Sequence, residues 1–365
     1  MKATLALALL QSGCTPVDAP LDTGPTLSDT DTASSGEAPP EPLPWCEAVA
    51  YEVEPLEMPF DGVLAEVYRV NALGDAVGAV TLLSGTQHAA IWRDTELEDL
   101  EDRLPDDVGR SVATDLVEGA VVGWAYTYWA ADEVGPTGLR WVDGSEAVRV
   151  FDDTAARIWA AGPNGLLVGD QHTELFALQP DGELVAPGLT VGPGTDTVGA
   201  PLAVSDSGAV VGAAWTSAVR DAFSWVPGEE VTWLGATGFE GSEAFDAHDE
   251  VAVGRAWRDD LAQPVLWSDG ELLELGLSDD ALLGEARAIN ARGEVIGFEG
   301  EGYVLSLLDA WVWRSAIKFP LDGLIDDDNW TIDVVTDIND SGQIVGMGTR
   351  DGDEWLPVRL TPICD

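Results

Sequence analysis

The chain is short of positive charge. Its 365 residues hold 17 Lys and Arg against 66 Asp and Glu, a formal net charge of −49. Nucleic-acid binding needs a basic surface that displaces counterions, so that class is excluded. Docking of the folded part on anionic lipid headgroups is excluded for the same reason. Histidine is scarce as well: His88, His172 and His248 are the only three, and they stand far apart in the sequence. A metal set or a His-based triad would need them to converge. Cysteine is limited to Cys14, Cys46 and Cys364, and none lies in a C-x-x-C pair, which removes zinc sites of known spacing. No apolar run approaches the roughly 20 residues of a membrane-spanning helix. No G-x-S-x-G elbow, P-loop or H-E-x-x-H occurs, and no segment carries a helical period.

Glycine and tryptophan are plentiful, at 40 and 15 residues. The glycines are ordered. The pair G-x-x-x-G occurs at Gly74/Gly78, Gly119/Gly123, Gly165/Gly169, Gly208/Gly212, Gly293/Gly297 and Gly342/Gly346. A further copy keeps Gly254 but has Glu250 in place of the first Gly. Successive second glycines are 42 to 49 residues apart. After each comes a variable stretch, then an apolar segment that usually ends in Trp: Trp92, Trp141, Trp225, Trp267 and Trp313. A turn signal such as "SDGE" and a last apolar run complete the unit. Asp-Gly between alternating runs marks a hairpin, because both residues tolerate positive φ. Each unit therefore reads as four short strands in a meander. Repeats of this length and content predict an all-β fold, a seven-bladed β-propeller of four-stranded antiparallel blades.

The phrases "AINARGEVIG", "DINDSGQIVG" and "AVSDSGAVVG", with the following "HAAIW" and "DAFSW", resemble the HAF-repeat proteins, an extracellular family named for a His-Ala-Phe tripeptide. The resemblance covers about residues 65–361 and implies a surface-exposed repeat domain. Only His88 keeps the family His. Asp221, Asp309, Gln263, Thr137 and Glu174 hold that place elsewhere, so the resemblance supplies no catalytic residue.

The beginning of the chain reads as an address. Residues 1–14 carry one Lys, an apolar run and Ser12-Gly13-Cys14, which resembles a bacterial lipoprotein signal with Cys14 as the lipid-bearing residue. Residues 15–44 are rich in Asp, Thr, Ser and Pro, and predict a disordered tether. The propeller then runs over 45–365. The location expected is extracytoplasmic: an outer-membrane or cell-surface lipoprotein, or a secreted protein. The membrane would be met only through the lipid.

The last repeat stops after its third strand, whereas "CEAVAYEVEPL" after the tether has strand composition and no repeat of its own. It is predicted to supply the missing fourth strand. Cys46 and Cys364 would then flank the break where other repeats have a tight turn, and a disulfide would replace that turn.

Loops between the second and third strands vary most in length, and repeat proteins concentrate function where they vary. The residues predicted to meet a protein or glycan partner on that loop face are Trp129, Asp132, Glu133, Glu299, Glu301 and Tyr303. The alternating Trp124, Tyr126 and Tyr128 read as packing between blades, with an aromatic ligand platform as the alternative. Asp326, Asp327 and Asp328 are weak Ca²⁺ candidates, with a solvated loop as the simpler reading. No other cofactor is expected. The expected function is a binding or scaffold module. The alternative is a polysaccharide hydrolase or lyase that uses two of the many carboxylates.

Overall fold

The computed structural model describes residues 48–364 apart from 106–107, 118, 131–132, 143–144, 152–154, 163–164, 172–173, 190–200, 217–218 and 303–307. The side chains at 108, 127–130, 133–134, 201–202 and 215–216 also fall outside the description. The signal segment, the tether, Cys14, Cys46, His172, Asp132 and Tyr303 therefore lie outside the described residues, as do the side chains of Trp129 and Glu133.

The described fold is all β, with two short 3-10 turns at Glu101–Arg103 and Leu321–Gly323. Strand β1 (Ala50–Pro55) precedes the repeats. The first repeat forms β2 (Gly62–Val70), β3 (Ala76–Leu82), β4 (Gln87–Arg93) and β5 (Glu96–Asp99). The second forms β6 (Val108–Val117), β7 (Ala120–Ala130), β8 (Glu133–Val142) and β9 (Val148–Arg149). The third forms β10 (Ala156–Ala161), β11 (Leu167–Gln171), β12 (Glu174–Leu178) and β13 (Leu184–Val185). The fourth forms β14 (Pro201–Val204), β15 (Val210–Thr216), β16 (Val219–Trp225) and β17 (Thr232–Trp233). The fifth forms β18 (Gly241–His248), β19 (Val251–Arg258), β20 (Leu261–Ser268) and β21 (Glu271–Glu274). The sixth forms β22 (Leu283–Ile289), β23 (Val295–Gly300), β24 (Leu308–Arg314) and β25 (Ile317–Pro320). The seventh has β26 (Trp330–Ile338), β27 (Ile344–Arg350) and β28 (Glu354–Ile363).

Within each repeat the strands pair antiparallel in chain order. The first strands stand side by side, β2 on β6, β6 on β10, and so on to β26, which packs back on β2. This closed ring of inner strands makes the fold a β-propeller. The sheet count differs from the expectation of seven separate four-stranded sheets. Five such sheets are found, and the fifth and sixth repeats share one eight-stranded sheet. The join is a single parallel pair, Ala262↔Leu283.

β1 lies beside β28, with Ala50 opposite Ile363 and Pro55 opposite Val358. Arg359 of β28 fastens this seam. It donates Nε and Nη2 to the two carboxylate oxygens of Glu54, at 3.0 and 3.2 Å, and Nη1 to the carbonyl of Gly74 in the first repeat at 3.0 Å.

The glycine pattern has a local cause. Every first strand carries a β-bulge, with Tyr68, Thr114, Trp159, Leu202, Phe245, Arg287 and Thr336 as the extra residues. The second Gly of each pair sits opposite the residue before the bulge. There the bulge turns a backbone carbonyl onto the glycine. A Cβ at Gly78 would stand 1.9 Å from the Glu66 carbonyl oxygen, and one at Gly346 would stand 2.1 Å from that of Val334. Two of these glycines also take a ring: Trp311 covers Gly297 and Phe176 covers Gly169. The first Gly does something different. Gly293 and Gly342 hold φ of 73° and 83°, the left-handed turn conformation that only glycine adopts freely.

The core is a series of apolar seams between repeats. Trp92, Trp141, Trp225 and Trp267 are buried in them as expected for third-strand tryptophans. The sixth repeat departs from the pattern: Trp311 is the buried ring and Trp313 is only partly covered. Trp311 pairs with Gly297, whose missing side chain leaves the space.

Candidate functional site: the axial cavity

The inner strands end around a cavity of about 230 Å³ on the face of the tight turns. Five of the seven residues that stand just after a bulge line it: Arg69, Asp115, Ala203, Asp246 and Asp337. Four of these carry charge: Arg69, Asp115, Asp246 and Asp337. Arg69 Nη1 lies 3.3 Å from Asp337 Oδ1 and 3.6 Å from Asp246 Oδ1. Asp115 adds its field from the second repeat.

Each carboxylate also caps the following repeat. Asp115 Oδ2 accepts the Ala161 N–H at 2.9 Å, Asp246 Oδ2 that of Ile289 at 2.9 Å, and Asp337 Oδ2 that of Val70 at 2.8 Å. The last contact crosses from the seventh repeat to the first. Burial sets the electrostatics. It pushes the carboxyls of Asp115 and Asp246 above their usual range, against the pull of Arg69 and the capping N–H groups. Burial and the neighbouring Asp246 bring Asp337 up to about 7, although Arg69 opposes them. The surrounding carboxylates hold Arg69 more firmly protonated than a free guanidinium.

The turns at the rim explain the opening phrase of the repeat. Asn71, Asn290 and Asn339 each fold the side-chain oxygen onto two backbone N–H groups of their own turn, at 2.9 to 3.1 Å. The Asn71 amide nitrogen stays in its turn, on Asp75 Oδ2 at 3.2 Å, but those of Asn290 and Asn339 reach outward. Asn290 Nδ2 donates to the Asn339 carbonyl at 3.2 Å, and Asn339 Nδ2 to the Asn71 carbonyl at 2.8 Å. The phrase thus writes both a turn and a bond to the next repeat. His248 stands at the rim near Asp206 and Asp249, at 3.4 and 3.5 Å. His88 pairs with Asp99 at 2.8 Å in a different repeat, so these two histidines do not meet.

The residues expected to form a loop-face patch fare differently. Glu299 is buried and is not a surface contact: its carboxylate holds Lys318 Nζ at 2.7 Å and the Ser278 hydroxyl. Glu301 is exposed. Trp124 and Tyr126 meet edge to face at 5.4 Å, and Trp124 packs near Trp159 of the next repeat at 6.3 Å. The Arg157 guanidinium lies 5.6 Å from the Trp124 ring centre. Trp124 thus makes a contact between repeats, and Tyr126 packs on it within the second. Asp327 turns its Oδ1 onto the N–H and amide of Asn329, at 3.0 and 2.7 Å, while Asp326 and Asp328 face solvent. No group of three His, Cys, Asp or Glu placed to hold a metal is found among the described residues.

Fold and axial site together define a β-propeller scaffold. No family model matches the chain, and no curated protein matches it. Solved structures do. The virginiamycin B lyase of Staphylococcus aureus superposes with a TM-score of 0.50 at 14% identity, over 86% of this chain and 99% of that one. A puromycin-hydrolyzing peptidase of Mycobacterium tuberculosis gives 0.50 at 13% identity, over 85% of this chain and 53% of its own. The extracellular domain of the one-component system BT4673 from B. thetaiotaomicron gives 0.51 at 8% identity, over 85% and 40%. At such identities the likeness is one of fold alone. Among the described residues no helix is long and apolar enough to cross a membrane.

Proposed function

We propose that the chain is an extracytoplasmic, lipid-anchored binding module on a seven-bladed propeller, with the fifth and sixth blades fused by one bridge. The partner, a protein or a glycan, docks on the loop face. The observation that carries this reading is an apolar group on that face. Phe60 stands fully in solvent beside the exposed Val63 and Leu83, and the Leu83 N–H to Asp61 carbonyl bond at 2.8 Å ties their loops together. Exposed apolar groups of this kind mark interaction sites.

The path of the chain supports the same face. Ala50 pairs with Ile363, at the end of β28 opposite the β27–β28 loop. The chain therefore enters β1 from the tight-turn side. A tether from an acylated Cys14 would leave the loop face turned away from the membrane. A Cys46–Cys364 disulfide would pin that entry; it is supported by the disulfide-bonded state of Cys364 and by the bond from the Val49 N–H to the Ile363 carbonyl at 3.0 Å. The hydrolase or lyase reading is weakened at the axis, where the three carboxylates are each engaged in holding the next repeat.

A glycan array and a surface-protein pull-down, each with and without Ca²⁺, test the reading. Binding should be lost when Phe60, Leu83, Trp129, Asp132, Glu133, Glu301 and Tyr303 are replaced by Ala, with thermal stability unchanged. Glu299 is left out because its replacement would strand Lys318. Cleaved glycan products in the same screen, or binding that survives the substitutions, would refute it. Mass spectrometry of the membrane fraction reports acylation of Cys14.

A further inference from the structure

The largely covered charges at the axis do not balance. Asp115, Asp246 and Asp337, from three repeats, surround the one guanidinium of Arg69. Buried charge left unpaired is costly, so the group is under pressure to shed negative charge. The carboxylate oxygens divide the work. The Oδ2 atoms hold N–H groups of the next repeat, whereas Asp246 Oδ1 and Asp337 Oδ1 both face Nη1 of Arg69. A proton can be added at Asp337 Oδ1 without releasing the Val70 N–H, whereas Asp246 also accepts the N–H of Ala247. Asp337 matters most to the ring, because its cap on Val70 joins the last repeat to the first.

We propose that this hub is a proton-operated latch on ring closure: one proton held on Asp337 Oδ1 draws the seam tight, and its loss loosens it. The charged and titratable groups that line the cavity with Asp337 come from three strands and two turns. They are Arg69 from β2, Asp115 from β6, Asp246 and His248 from β18, Asp206 from the turn after β14, and Asp340 from its own turn. The walls at Ala161 and at Ile289 and Asn290 bring no titratable group.

The direction follows from linkage. The Asp337 carboxyl titrates near 7 in the fold and near 3.9 in an unfolded chain, so between these values the fold holds a proton that the unfolded chain lacks. Stability from this group is full below about pH 4 and falls as pH rises to about 7. Asp333, brought up to about 6 by burial and by Asp322 and Asp309, acts in the same direction, but its effect is mostly spent by pH 6.

The test is unfolding by urea between pH 6 and 8, in 0.5 M salt so that surface repulsion is screened. The wild-type unfolding constant should rise about tenfold across that interval. Asp337→Asn, which imitates the protonated acid, should abolish most of the rise, whereas His248→Gln and Asp333→Asn should keep most of it. Carboxyl ¹³C titration of the unaltered protein is the second measurement and needs no variant to fold. It should show one Asp signal with a midpoint near neutral. A tenfold rise that persists in Asp337→Asn, a wild-type constant that falls with pH, or Asp signals that all titrate below pH 5 would overturn the proposal.

Discussion

The two glycines of a G-x-x-x-G pair look alike in sequence and should respond very differently to one added methyl group. Gly342 has φ 83°, and a Cβ there would meet nothing closer than Pro362 at 3.8 Å. Gly342→Ala therefore carries only the left-handed penalty, about 1 kcal/mol. At Gly346 the backbone is ordinary, but a Cβ would stand 2.1 Å from the Val334 carbonyl oxygen and 2.8 Å from the Val335 Cα. Neither neighbour is a side chain that can swing away. β26 and β27 would have to separate by roughly 1 Å at the bulge, breaking ladder bonds in the core of the seam. Strain of that kind falls in the upper range for single substitutions, about 3–5 kcal/mol. Urea unfolding followed by tryptophan fluorescence measures both variants against the wild type. If Gly346→Ala costs no more than Gly342→Ala, the bulge is not what demands glycine, and the account of the repeat is wrong.

Arg359→Met should destabilise by about 2–4 kcal/mol, because it strands Glu54 and the Gly74 carbonyl at the seam between the chain ends. The loss should be greatest well above the pH at which Glu54 titrates, since Arg359 and Thr361 hold that carboxyl below its ordinary range and protonation removes the pair's contribution. Trp311→Ala should cost about 3–5 kcal/mol and Trp313→Ala clearly less, read by the same denaturation curves; equal losses would contradict the burial pattern. Raising salt from about 20 to about 300 mM should raise the melting temperature, because screening shortens the reach of surface repulsion at a net charge of −49; an unchanged melting temperature would show that the acids lie too far apart to interact.

The meander of four strands was legible because two glycines, a turn signal and a terminal aromatic recur in phase. The fused sheet was not legible, since one bridge between Ala262 and Leu283 leaves no trace in composition. Trp313 fitted the column of third-strand aromatics, yet the space created by Gly297 lies two residues earlier and takes Trp311. The axial group was hidden for a different reason. With 66 acids in the chain, any three of them carried no signal by type. Nor do they align by spacing: Arg69 and Asp337 stand five residues before their turn glycine and Asp115 four, and only the bulge of each first strand brings them to one position. Glu299 shows the converse, an acid assigned to the surface because nothing in sequence marks Lys318 as its partner.

The seam between β1 and β28 also sets the order in which the molecule can be completed. Of the described strands, β1 leaves the ribosome first and its partner last, with the whole ring between them. Loop closure over that span is the most demanding contact in the fold and contributes nothing until the final strand arrives. Until then β1 and the growing edge of the ring present unpaired backbone, a template for pairing with other chains. Maturation should therefore be slow and vulnerable up to the last step, and a chaperone that shields strand edges would have its longest task here.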